Sequence, residues 1–291
     1  MTVQQLEQWQ INEQHFLEKC GQEYPFILPD RKINGLNKDK VLVIGDTHEP
    51  FGNPKLLRYL SENHNDAHKV VVIGDVGDFY SKSRFRKRKY ISFEDECKSV
   101  FQLLQFLYIY WDKVEIILGN HDNRATKTIS DILNANGATD LLFLTETDLI
   151  GRMASYFPTI EIKSMPLDGT DEKLIHIYQD GEVIYCHFEI SRAQKSATMQ
   201  RISEYLHKWK STLGLKDYKV IIQGHNHTGH KESMGDELWI MNPCAADIYA
   251  EGFGYIFTPK PMGNPPVVGY TLLYYTNGKV DFNKTNYYVF N

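Results

Sequence analysis

The apolar positions of this chain gather into short unbroken runs separated by helical or polar stretches. Val41-Leu42-Val43-Ile44, Val70-Val71-Val72-Ile73, Val114-Glu115-Ile116-Ile117-Leu118 and Val220-Ile221-Ile222-Gln223 are the clearest. They lack the alternation of a strand wetted on one face, and so predict strands buried on both sides. Helical spacing fills the gaps. A helix is predicted over residues 54–63, and a longer one runs from Ser92 to about Trp111. Ser92 suits an N-cap, Glu94 and Asp95 suit the first turn, and Val100, Leu103, Leu104, Leu107 and Tyr108 form an apolar stripe.

Residues 3–17 have a helical pattern, with Leu6, Trp9, Ile11 and Phe16 as apolar contacts, before Pro25, Pro29 and Gly35 break the chain. Residues 126–153 are expected to form helices and loops beyond the core. Further strands are predicted at 174–178, 183–186, 238–241, 268–275 and 280–288, with another helix at 193–209. No internal repeat or low-complexity linker is present. The pattern predicts an α/β fold organised as an N-terminal helical extension and linker over residues 1–40, followed by one domain with insertions over 41–291.

Composition narrows this only slightly. The 291 residues, 42% hydrophobic and 24% charged, are ordinary for a globular protein. A net charge of -5 disfavours general polyanion binding, so any nucleic-acid contact must come from a local patch. Cys20, Cys97, Cys186 and Cys244 are widely spaced and form no CxxC pair, which argues against a disulfide framework or structural zinc. The first twenty residues lack the apolar stretch of a signal peptide, and no run approaches the ~20 apolar residues that span a bilayer. The expectation is a cytoplasmic protein without a membrane segment.

The chemistry lies at the ends of the strands. Five segments carry it: Gly45-Asp46-Thr47-His48, Gly74-Asp75-Val76-Gly77-Asp78, Gly119-Asn120-His121-Asp122, Cys186-His187 and Gly224-His225-Asn226-His227. Glycine at a strand end permits a sharp turn, and the side chains that follow are aimed into the crevice beyond the carboxyl edge of the sheet. Mixed carboxylate, amide and imidazole groups suit manganese, iron, zinc or cobalt better than calcium or magnesium alone. The set offers more ligands than one ion can use. His15, His64, His68, His176, His207 and His230 are read instead as surface or satisfied core histidines.

In order and spacing, these segments resemble the D-x-H, G-D-x-x-D, G-N-H-[DE], H and G-H-x-H motifs of the calcineurin-like metallophosphoesterase superfamily. The resemblance spans roughly residues 41–227 and implies a four-layer αββα sandwich of the metallophosphoesterase type, with helical insertions. It implies two divalent transition-metal ions, manganese foremost with iron, zinc or nickel as alternatives. One ion would be held by Asp46, His48 and His227, the other by Asn120, His187 and His225, with Asp75 bridging. His121 would meet charge developing on the substrate, Asp122 would orient it, and Asp78 would support the site. Two metals roughly 3.5–4 Å apart activate water and bind phosphate oxygens for in-line attack. One departure stands out: Phe188 follows the fourth-segment histidine, where the family usually has glycine.

Six basic residues interleaved with aromatics lie in Phe79 to Tyr90. The stretch Asp78 to Phe85, with Asn120 to Arg124, resembles phosphoesterases of phage and bacterial genomes often labelled as candidate DNA-repair nucleases; for a phage-encoded chain the location would be the host cytoplasm. Arg124, Arg84 and Tyr80 are the candidate substrate-binding residues, for phosphate in the case of Arg124 and for backbone and bases in the others. A solvated loop is the competing reading of that stretch, and an ion pair that of Arg124. The expected function is a phosphodiesterase or nuclease acting on DNA, RNA or nucleotides. The alternatives are a phosphomonoesterase, including a phosphoprotein phosphatase, and a binding scaffold without catalysis. A scaffold is expected to lack ligands or the third-segment histidine, yet all are present. Oligomeric state is not readable.

Overall fold

The computed structural model describes residues 28–83, 89–137, 149–163, 165–167, 175–251, 253 and 264–291. The expected helix over residues 3–17 lies outside them. The first half of the described chain runs β1 (Asn37–Ile44), α1 (Pro54–Asn63), β2 (Ala67–Ile73), a short 3-10 turn (Tyr80–Lys82), α2 (Phe93–Tyr110), β3 (Val114–Ile117), α3 (Arg124–Ala135) and α4 (Leu149–Ala154). Next come β4 (Ile160–Ile162), β5 (Met165–Leu167), β6 (Ile175–Asp180), β7 (Val183–His187), α5 (Lys195–Trp209), β8 (Val220–Gln223), β9 (His230–Met234), β10 (Glu237–Met241), β11 (Gly269–Thr276), β12 (Lys279–Val280) and β13 (Asn286–Val289).

Two sheets form. One runs β12-β11-β1-β2-β3-β4, with β13 also paired to β11; the other runs β5-β6-β7-β8-β10-β9. Strands β1 to β4 are mutually parallel, as are β7, β8 and β10. Each sheet therefore presents several strand carboxyl ends along one edge.

The period of a strand explains the layering. Along β1, Val41 and Val43 face the second sheet and pack with Val71, Ile73, Tyr185, Val220, Ile222 and Ile240. Leu42 and Ile44 face the other way, onto Leu56 and Leu60 of α1 and Val100, Leu104 and Leu107 of α2. On the far side, Ile184, Cys186, Ile221 and Trp239 pack on Met199, Ile202 and Leu206 of α5. Helices, sheet, sheet and helix make the four-layer α/β sandwich. A buried ion pair between Lys69 Nζ and Glu115 Oε2 (2.8 Å) adds a polar tie, and Lys69 also reaches Asp180 of the second sheet.

Local signals behave as their chemistry requires. Ser92 caps α2 by accepting from the Asp95 amide at 3.0 Å, and Asn53 caps α1 by accepting from Lys55 and Leu56. Among the differences in the strands, two have a local cause. The three-residue β4 carries too short a pattern to announce itself, yet it pairs in parallel with β3. The strand expected over 280–288 is two strands, because Asp281 Oδ1 accepts from the Asn283 and Lys284 amides and folds the chain into a turn. Among the described residues no helix is long and apolar enough to cross a membrane.

The layer contact rests on residues such as Leu104, which is fully buried between α2 and the first sheet. Leu104→Ala is expected to lower the unfolding free energy by about 2–5 kcal/mol, measured by urea denaturation. A loss below about 1 kcal/mol would contradict this packing.

Candidate metal centre

Each of the five segments begins where a strand stops. Asp46 and His48 follow β1, Asp75 and Asp78 follow β2, Asn120 and His121 follow β3, His187 ends β7, and His225 and His227 follow β8. The backbone there is unusual. Asp46, His48, Asp75, His225 and His227 all have positive φ, between 49° and 67°. Side chains adopt this left-handed region rarely, at a cost of order 1–3 kcal/mol each, and it persists where surrounding contacts demand it. Gly74 (φ 80°) is the hinge of the second segment, and a Cβ there would run into the His187 ring.

The carboxylate of Asp75 is the centre of the arrangement. His187 Nε2 lies 3.2 Å from Asp75 Oδ2, and His48 Nε2 lies 3.6 Å from it. On one side Asp46, His48 and His227 complete a group: His227 Nε2 is 3.2 Å from Asp46 Oδ1 and 3.1 Å from His48 Nε2. On the other side Asn120 Oδ1 lies 3.2 Å from His187 Nε2 and 3.1 Å from His225 Nδ1. Most of these side chains are fully buried.

The polarity of these contacts is informative. His187 Nδ1 donates to the Ile73 carbonyl (3.1 Å), so in the neutral ring Nε2 carries the lone pair, yet it faces two oxygen acceptors. His48 Nδ1 donates to Asp78 Oδ1 (3.0 Å), which likewise turns its Nε2 lone pair towards His227 and Asp75. Buried acceptors facing acceptors are stable only around positive charge. The titration behaviour agrees. Burial opposes a charge on His187, but Asp75 outweighs it and lifts the imidazole to about 10. His48 and His225 are pushed down by burial, reinforced by neighbouring histidines, to about 4 and about 3. Burial works against ionisation of Asp75, yet His187 and His121 hold it well below the usual carboxylate range. The donor set and its charge thus fit divalent cations, which would take the place of the proton on His187.

His121 stands beside this group, its Nε2 4.0 Å from Asp75 Oδ2. Its orientation corrects an expectation. Asp122 does not hold the ring: its carboxylate accepts from the Gly77 and Gly119 amides, at 2.9 and 2.8 Å, and staples the second loop to the third. Burial first, and then the charge of Asp75, raise Asp122 to about 7. The ring is held instead by Asp78, whose Oδ1 accepts from His121 Nδ1 at 2.7 Å as well as from His48. Arg124 closes the group, donating to the Asp78 carbonyl and to His121 Nε2, both at 2.8 Å.

The remaining substrate candidates divide. Tyr80 corrects a second expectation. It is 1% exposed and packs edge-on against Phe51, ring centroids 5.8 Å apart, so it is a core residue and presents no face for stacking. The left-handed Phe79 (φ 45°) turns the chain inward there. Arg84 lies outside the described residues. Asn123 escaped sequence reasoning: its amide donates to the Gly119 carbonyl (3.2 Å) and to buried His176 (2.9 Å). Its partner is 53 residues away, and no local pattern marks it.

A profile described as calcineurin-like phosphoesterase matches residues 39–257, a span that takes in all five segments. No curated protein matches the chain. Among solved structures, the wild-type Vps29 of Entamoeba histolytica complexed with zinc is 14% identical, with a TM-score of 0.38, over 87% of this chain and 99% of that one. A novel archaeal phosphodiesterase is 15% identical, with a TM-score of 0.40, over 86% and 98%. Vacuolar protein sorting 29 of Cryptosporidium parvum is 13% identical, with a TM-score of 0.40, over 87% and 98%. By its family profile, the chain belongs to the calcineurin-like phosphoesterases.

Proposed function

We propose that this protein is a two-metal phosphodiesterase acting on nucleic acid or nucleotides. The observation that carries the reading is the convergence of buried acceptors on Asp75, next to an imidazole aimed at the same place. In this reading Asp46, His48 and His227 hold one ion, Asn120, His187 and His225 hold the other, and Asp75 serves both. Manganese leads the candidates, with iron, zinc and nickel compatible with the same donors. Bound there, two divalent ions supply Lewis acidity towards the phosphoryl oxygens and lower the pKa of water, so that attack proceeds without a covalent enzyme intermediate.

The chain's own residues do the rest. Asp78, fully buried, accepts from His121 Nδ1 and fixes both the tautomer and the tilt of the ring. Nε2 is thereby the atom presented to the substrate. In the protonated ring it donates to the leaving oxygen as negative charge develops there. Arg124, which rests on Nε2 at 2.8 Å, carries a planar fork suited to two phosphate oxygens. A bound phosphoester offers that fork better acceptors and releases the imidazole for its role.

The nucleic-acid preference is supported by the segment that leaves the site directly after Asp78. Its described flanks, Lys82, Lys89 and Tyr90, are exposed, Tyr90 at 89%. Basic and aromatic side chains beside a scissile phosphate suit a phosphate backbone and its bases. A phosphomonoesterase uses the same centre, and the ratio of p-nitrophenyl phosphate to bis-(p-nitrophenyl) phosphate turnover separates the two.

Two sets of variants test the roles. Asp75→Asn and His121→Ala are each expected to abolish manganese-dependent hydrolysis of the bis-ester with the circular dichroism spectrum retained. Activity surviving in either would refute the assignment, as would wild-type turnover that EDTA leaves intact. Asp78→Asn is expected to lower kcat about 100-fold or more through loss of the imidazole's acceptor. Asp122→Ala is expected chiefly to destabilise, by about 1–3 kcal/mol, because it leaves two buried amides unsatisfied. The reverse ranking in steady-state kinetics and urea unfolding would return the orienting role to Asp122.

A further inference from the structure

Phe188 has no strand neighbour, yet its backbone is fully held. The ladder between β7 and β8 closes with the Gly224 amide donating to the Cys186 carbonyl at 3.0 Å. One residue beyond His187, the Phe188 amide donates to Gln223 Oε1 (3.1 Å), and the Phe188 carbonyl accepts from Gln223 Nε2 (2.9 Å). A carboxamide offers the donor and acceptor of a peptide unit, so the fully buried side chain of Gln223 takes the place of the missing strand partner. The Phe188 ring packs on α5, its centroid 5.4 Å from that of Tyr205, which fixes the same residue from its other side.

The carboxamide also reaches the next loop. Gln223 Nε2 lies 3.4 Å from Asn226 Oδ1, and Asn226 Nδ2 donates to the Ile190 carbonyl at 2.8 Å. Asn226 sits between His225 and His227, both held at positive φ. One side chain therefore joins the strand end that carries His187 to the loop that carries the last two histidines. Its backbone carbonyl accepts from the Asn242 amide (2.8 Å), which anchors the junction to the end of β10.

We propose that Gln223 is the positioning residue that keeps His187 and the His225–His227 loop in register, and thereby sets how tightly the second ion is held. This rests on the two-ion reading above. The requirement is for a carboxamide in particular. A leucine of similar size leaves the Phe188 amide without a partner and the Phe188 carbonyl with the Ile190 amide alone (2.7 Å). A glutamate accepts from the amide but opposes the Phe188 carbonyl and Asn226 Oδ1 with negative charge.

The test is calorimetric titration of the metal-stripped full chain with manganese chloride, together with low-temperature electron paramagnetic resonance of a coupled manganese pair. The proteins are wild type, Gln223→Leu, Gln223→Glu and Cys186→Ala, the last removing the thiol contacts to Gln223 Oε1 (3.2 Å) and the Ile222 carbonyl (3.5 Å) while keeping the carboxamide itself. Wild type and Cys186→Ala are expected to bind two equivalents and to show the coupled signal. Both Gln223 variants are expected to keep one ion and to bind the other roughly 10- to 100-fold more weakly, losing the coupled signal at two added equivalents. Should Gln223→Leu fail to fold, Gln223→Glu decides the matter. A folded Gln223 variant with a lower melting temperature but both affinities unchanged would overturn the inference and leave the two-ion reading standing. Wild type that binds fewer than two ions would overturn both.

Discussion

Asp75 is 1% exposed and is crowded by ring nitrogens whose lone pairs point at it and at one another. Burying such a group without positive charge costs several kcal/mol, far more than a typical hydrogen bond returns. The protein satisfies the demand in part by lifting His187 to about 10, against the pull of burial. A proton on one imidazole leaves His48, His227 and Asn120 converging on the same space. Divalent ions on the two flanks of Asp75, as proposed above, would satisfy these groups together.

The rest of the fold makes that crowding possible. Two sheets buried on both faces provide a rigid edge where strand ends meet, and close interior packing leaves the loops little freedom. Three of the five loops spend conformational energy, with five candidate ligands in left-handed backbone. Asp122 ties the second and third loops together through the Gly77 and Gly119 amides. Gln223 does the same for the fourth and fifth. The ligand side chains are held by contacts that touch no substrate, and the imidazole expected to meet the substrate is held by Asp78.

Much of this was legible in the chain. Buried parallel strands announce themselves by runs such as Val70-Val71-Val72-Ile73, and α2 by its Ser92 cap and apolar stripe. The histidines and carboxylates at strand ends are the side chains that the structure brings into one cluster. The assignment of Asp78 and Asp122 was not legible. Asp122 adjoins His121 in sequence while Asp78 lies 43 residues before it, and only the backbone turns decide which carboxylate meets the ring and which meets amides. Tyr80 misled for a related reason: alternating basic and aromatic residues do not say which way a ring faces after a left-handed residue. Gln223 and Asn123 were silent because each works across sequence separations of 35 and 53 residues. β4 was silent because three residues carry no usable period.

The central claim is that a pair of ions straddles Asp75. The most direct measurement is an anomalous difference map from crystals of the protein grown with manganese. Two peaks are predicted, one among Asp46, His48 and His227 and one among Asn120, His187 and His225, each within coordinating reach of Asp75. A single peak, or peaks that leave Asp75 unligated, would contradict the account.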